Sequence, residues 1–291
     1  MNKMKHKYFF YGSLLIELII FPLKFIVHWC DVLLKNDIKK NTVRLPVSTK
    51  RVKVVVHEWG GFPLVRMKTI KKIVPFQCGL IGQLQRFSNR SDVDLTVTMS
   101  DAWRCENLLF LKKNTSILEV SNAGMDFSGY STYYEKIKNS PNQYVIFTNS
   151  SVNSIQEEFL DGYIEFMEQN QDVGMLGISY CTKMKQTLMR VNFTPHLQSF
   201  FLLTTIDVIN QMVALNNGKF PGIGIKHKSW LIREGEIRVS NLIQQLGYRL
   251  AVVNPIDGQP YKFTSYRNWS IPFDDIRLIL KKPNRITPIK K

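Results

Sequence analysis

The chain has 291 residues, with 39 Lys+Arg against 23 Asp+Glu and a formal net charge of +16. At 44% hydrophobic and 12% aromatic it holds enough apolar material for one large domain or two small ones. That composition excludes a disordered chain, a collagen and a small disulfide scaffold. The four cysteines (Cys30, Cys78, Cys105, Cys181) form no C-x-x-C pair and read as buried thiols of a reducing compartment.

The charge is uneven. Residues 1–53 hold 11 basic and 3 acidic side chains, residues 276–291 hold 6 basic and none acidic, and the stretch between is nearly neutral at 22 against 20. A nucleic-acid-binding fold carries its positive face on the folded domain, so no nucleic-acid partner is expected. Basic flanks on a near-neutral body suit an anionic membrane surface, at about 1 kcal/mol per Lys or Arg close to lipid.

In chain order, residues 8–34 are strongly apolar but interrupted by Glu17, Pro22, Lys24, His28 and Asp31. A spanning helix wants about 20 apolar residues with few charges, and no small-residue cleavage site follows. The pattern predicts an interfacial helix pair broken near Pro22, flanked by lysines. A signal anchor and a helix packed on this protein or a partner are the alternatives. Residues 1–50 thus read as a membrane-associating segment, 51–275 as the main domain and 276–291 as a basic tail. The apolar run Ile276–Leu280 in that tail suits either a second surface contact or a solvated end. The location expected is the cytoplasmic face of a membrane, peripheral or monotopic.

From Arg51 the periodicity changes. Strands are predicted at Val52–His57, Val93–Met99, Ile117–Val120, Tyr144–Thr148, Ser199–Thr204 and Leu250–Val253. Helices are predicted over 76–87, Ser131–Lys138, Ser154–Gln169 and Glu236–Leu246, the last closed by Gly247, with Ser100-Asp101 placed to cap another. Alternating strands and helices imply an α/β fold with a mostly parallel sheet covered on both faces. In such sheets ligands lie beyond the carboxyl ends of the strands, which singles out His57-Glu58, Ser100-Asp101, Asn122–Asp126 and Asn149–Ser151. There is no G-x-G-x-x-G, no Walker A loop, no G-x-S-x-G and no H-E-x-x-H, which disfavours dinucleotide folds, P-loop kinases and the common hydrolases.

Five ordered stretches then resemble one family. VKVVVHEW (52–59), DLTVTMS (94–100), NAGMDFSGY (122–130), YVIFTNSSV (144–152) with DVGMLGIS (172–179), and HLQSFFLLT (196–204) with GEIRVSNLIQQLGY (235–248) resemble the rhamnan synthesis F type of glycosyltransferase. That family is similar in turn to nucleotide-sugar transferases of the GT-A fold. The resemblance covers about residues 52–255. It implies a GT-A-like, Rossmann-type sheet that transfers a sugar (a deoxyhexose such as rhamnose, or another hexose) from a nucleotide-sugar donor to a lipid-linked or glycan acceptor. A non-catalytic nucleotide-sugar or glycan-binding subunit of the same fold is the alternative.

The resemblance also suggests roles. Asn122, Gly124 and Asp126 form a donor loop in which Gly124 allows close backbone approach and Asp126 accepts hydrogen bonds from sugar hydroxyls; an ordinary Asx turn would explain the same residues. His57 and Asp101 line the nucleotide side. Asn149, Ser150 and Ser151 stand where GT-A enzymes place a metal-binding D-x-D, with Asn149 and Ser151 at the ligand positions. Mg²⁺ and Mn²⁺ favour carboxylate oxygens, so either the diphosphate is neutralised by protein cations such as Arg190 or Lys226, or another acid supplies a metal ligand. Glu236, with Glu234 as competitor, is the candidate base, kept ionised at a helix start. His196 and Gln198 are placed at the acceptor or donor.

Overall fold

The computed structural model describes residues 3–34, 42–47, 51–69, 75–181, 196–255, 257–263 and 284–290. In chain order come α1 (Lys3–Leu34), β1 (Val52–Trp59), β2 (Arg66–Lys68), β3 (Phe76–Cys78), α2 (Leu80–Ser88), β4 (Val93–Ser100), α3 (Leu108–Asn114), β5 (Ser116–Val120), α4 (Asp126–Ile137) and β6 (Tyr144–Asn149). They are followed by α5 (Leu160–Gln169), β7 (Val173–Gly177), β8 (Tyr180–Cys181), β9 (His196–Leu197), β10 (Phe201–Thr205), α6 (Ile206–Leu215), α7 (Lys228–Leu231), a π-turn (Ile232–Ile237), α8 (Arg238–Gln245), β11 (Arg249–Val253) and β12 (Pro260–Phe263).

Eight strands make one sheet in the order β12-β11-β7-β10-β6-β1-β4-β5. β5, β4, β1 and β6 run parallel, as do β7 and β11; β10 is antiparallel to both its neighbours, and β12 to β11. The fold is α/β with a mostly parallel sheet between helical layers. Alternation along β1 shows why Val54–Val56 is continuously apolar. Val55 faces the layer that holds Phe127 and Tyr130 of α4, Ile206 of α6 and Leu242 of α8. Val54 and Val56 face the layer of Leu80 of α2, Leu111 of α3 and Tyr163 of α5.

Several local expectations change. Phe76–Cys78 pairs with Arg66–Lys68, so the helix expected over 76–87 begins at Leu80. The helix expected from Ser154 begins at Leu160, because the Asn153 carboxamide takes the Ile155 N–H at 2.9 Å in an Asx turn. Asp101 caps no α-helix; it sits at φ 49°, and Ala102–Arg104 makes a single 3₁₀ turn. Lys3–Leu34 is one helix with Pro22 inside it, not a broken pair, and among the described residues no helix is long and apolar enough to cross a membrane. Cys30 is exposed, whereas Cys78 and Cys181 are buried as expected.

The two flanks touch the body. Phe10 of α1 is buried, and Glu17 reaches the wholly buried Arg233 of the π-turn at 3.3 Å. At the other end, Asn284 donates to Ser151 O at 2.9 Å, and Tyr163 donates to Thr287 O at 2.9 Å. Ile276–Leu280 and Arg190 lie outside the described residues.

Candidate functional site

Parallel register brings the ends of β1, β4 and β6 side by side: His57 is opposite Thr98 and Asn149, and Trp59 is opposite Ser100. Because β10 runs the other way, its beginning meets the same edge, with Phe201 opposite Thr148. Residues before β10, Ser199 among them, therefore lie beside residues after β6.

Asp126, Asn149 and Glu236 converge there. Asn149 Nδ2 donates to Asp126 Oδ2 at 2.6 Å, and Asn149 Oδ1 accepts the Ser151 N–H at 2.9 Å. Glu236 Oε1 accepts from Ser199 N and Oγ at 3.2 and 2.8 Å. Tyr130, one helical turn after Asp126 on α4, reaches the Glu236 group: its hydroxyl donates to Ser199 O at 2.8 Å. Burial foremost, then the charges of Asp126 and Glu236, push the Tyr130 phenol well up, so it stays a neutral donor. Glu236 is not at a helix start. It lies within a π-turn, where the Arg238 N–H reaches Arg233 O five residues back. Its carboxylate is held by Ser199, not by helix-end partial charges.

A second group surrounds Ser150. Arg66 of β2 donates to Ser150 Oγ at 2.7 Å and to Glu58 Oε2 at 3.0 Å, while Glu58 Oε1 takes the Trp59 N–H. Burial pushes the Glu58 carboxyl up, opposed by Arg66, Ser150 and the Trp59 N–H. The β2/β3 ribbon is fixed over the β6 end by Gly79 N to Ser150 O at 2.9 Å and by a bridge between Cys78 and Asn153. These residues do not fit a divalent cation. Asn149 turns its N–H toward Asp126, and Ser150 Oγ is met by a guanidinium, where an ion needs oxygen ligands. Among the described residues no cluster of three or more His, Cys, Asp or Glu suits a metal.

A third group lies one strand over. Asp101 Oδ2 accepts from Trp59 Nε1 at 2.7 Å and from Asn122 Nδ2 at 3.1 Å. Gly124 sits at φ 126°, and the backbone close to it belongs to Gly222 and Gly224; Gly224 N–H donates to Ala123 O. His57 is buried between Thr98 and Ser100, and burial lowers its pKa against the pull of Asp126. His196 is fully buried with Nε2 3.9 Å from Glu236 Oε2, and Gln198 Oε1 accepts from Ser179 Oγ at 2.6 Å. Lys226 is exposed.

Sequence reasoning missed Tyr130, Ser199, Arg66 and Lys68. Tyr130 and Ser199 lie inside the matched stretches. The four-residue spacing of Asp126 and Tyr130 would have paired them had the helix been started at Asp126. Arg66 and Lys68 had no comparable signal, since a three-residue strand shows no usable period.

No family model and no curated protein matches the sequence, so the resemblance to the rhamnan synthesis F type rests on its five local matches. Among solved structures, the chain is similar to a mannosyltransferase from Pyrobaculum calidifontis in complex with GDP-Man and Mn²⁺, at 14% identity and TM-score 0.38, covering 83% of this chain and 65% of that one. It is similar to 4-diphosphocytidyl-2C-methyl-D-erythritol synthase from Anaerococcus prevotii at 10% identity and TM-score 0.42, covering 75% and 94% of the two chains. A third likeness is to glucosyl-3-phosphoglycerate synthase from Mycobacterium tuberculosis in complex with UDP, at 12% identity and TM-score 0.41, covering 68% and 66%. The chain thus spans about two-thirds of the length of the first and third of these. The likenesses are distant, and the function is drawn from the site's own residues.

Proposed function

We propose that the chain is a glycosyltransferase acting at the cytoplasmic face of a membrane. It would move a hexose or deoxyhexose, rhamnose among them, from a nucleotide-sugar to a lipid-linked or glycan acceptor. The observation that supports this most is the meeting of Asp126, Asn149 and Glu236 at one sheet edge, tied through Tyr130 and Ser199. Asp101 and Asn122 then face the nucleoside end, and Asp126 with Asn149 the sugar end. In the reaction with inversion, the acceptor oxygen bonds to the anomeric carbon as the carbon–phosphate oxygen bond breaks. The acceptor proton passes to the Glu236 carboxylate and the nucleoside diphosphate leaves. Ser199 holds that carboxylate through two hydrogen bonds to Oε1, which fixes its orientation for the proton transfer.

The membrane reading is supported by α1. Tyr8, Leu15, Ile16, Ile19, Leu23 and Ile26 are exposed along it, next to a basic N-terminal sequence. The absence of a carboxylate pair at Asn149–Ser151 favours a second reading, a subunit that binds nucleotide-sugars without turnover.

Glu236→Gln separates the two. Transfer assayed over UDP-glucose, GDP-mannose and dTDP-rhamnose should fall by at least about 100-fold in kcat, as for loss of a general base, with donor affinity unchanged by calorimetry. A native chain that binds a donor but never transfers it selects the binding subunit. A native chain that binds no donor removes both.

A further inference from the structure

The diphosphate of such a donor brings negative charge to a strand end where the residues do not suit a metal. The β2/β3 ribbon brings cations to the same place. Arg66 and Lys68 are two apart on β2 and so share a face. Arg66 is anchored on Ser150 and Glu58 and stacked 4.3 Å over the Phe62 ring. Its charge is already matched by Glu58, but a guanidinium has five N–H donors, more than these contacts use. Lys68 is different. It is half-buried, close enough to Asp126, Arg66 and Lys228 to feel their charges, and makes no ion pair within 4 Å among the described residues. Burial lowers its pKa, with Cys78 and Asp126 pulling the other way.

Resting on the glycosyltransferase reading, we propose that Lys68, seconded by the N–H donors of Arg66 that Glu58, Pro63 and Ser150 do not take, binds the donor's diphosphate and does the work for which GT-A enzymes use a metal ion. The leaving nucleoside diphosphate is then stabilised by an ammonium and a guanidinium carried on one ribbon. Because that ribbon is fixed to the Asn149–Ser151 turn through Gly79 and Cys78, the cations and Asp126 keep a set spacing across the sugar-phosphate bond.

The test is calorimetric titration of the full chain with UDP, GDP, CDP and dTDP, in EDTA and in Mn²⁺. The native chain should bind one of them equally well in both buffers. Lys68→Gln should weaken that binding by roughly tenfold or more, the scale of one lost charge-assisted hydrogen bond, and Lys68→Arg should restore most of it. Binding that disappears in EDTA, or that Lys68→Gln leaves untouched, overturns the proposal while the glycosyltransferase reading stands. If the native chain binds no nucleotide under either condition, both fall. The EDTA comparison needs no variant, and Lys68→Met, which keeps the apolar stem without the charge, replaces Lys68→Gln if that variant does not fold, with the same loss of binding expected and unchanged binding overturning the proposal.

Discussion

At the scale of single residues, the site is a set of charges that depend on one another. Glu58 is almost wholly buried, and the cation that answers it is Arg66 at 3.0 Å. Its carboxyl lies above the ordinary value of 4.5. A carboxyl raised on folding costs nothing while both states are protonated; its penalty grows as pH climbs through the unfolded value and levels off above the folded one. Arg66→Gln removes an opposing charge and raises Glu58 further. The variant should lose little stability near pH 4 and about 2 kcal/mol by pH 7, below the range for a fully buried pair because Arg66 keeps some solvent. Denaturant unfolding at the two pH values checks this, and an equal loss at both would contradict it. Asp126, Asn149 and Glu236 were legible in the sequence because they sit just past apolar runs or inside a matched stretch. Arg66 and Lys68 were not: a basic residue in a short ribbon looks the same whether it faces a site or water.

At the scale of elements, the π-turn Ile232–Ile237 matters most. Its extra residue puts Arg233 inward toward α1 while Glu236 reaches Ser199. Gly235 lies against Phe127 so closely that a Cβ would come within 2.6 Å of the ring, which ties the turn that carries Glu236 to the helix that opens with Asp126. A sequence read with a period of 3.6 cannot find such a turn, and Glu236 therefore looked like a helix start. α1 poses the converse case. Its apolar content was plain, yet Pro22 suggested a break that the helix absorbs, and only the structure separates the inward side chains (Phe10, Glu17) from the outward ones. Ile16→Glu, Ile19→Glu and Leu23→Glu together change exposed positions only. The triple variant should keep its melting temperature but lose co-sedimentation with vesicles containing phosphatidylglycerol. Retained sedimentation would place the membrane contact elsewhere than on this face of α1.

At the scale of the whole molecule, the parallel strands were legible because apolar runs such as Val54–Val56 and Val145–Phe147 are buried on both faces. Strand order was not. That β10 inserts antiparallel between β6 and β7 depends on packing across the sheet, and no local pattern encodes it. Yet this reversed strand is what carries Ser199 to the end of β6 and so brings Glu236 to Asp126. The convergence of these separate chain segments on one donor cleft is tested most directly by amide hydrogen exchange on the full chain, with and without a saturating nucleotide-sugar. Segments 66–69, 122–126, 149–153 and 233–237 are expected to slow together. Slowing confined to one of them, or confined to unrelated surfaces, would contradict a shared cleft.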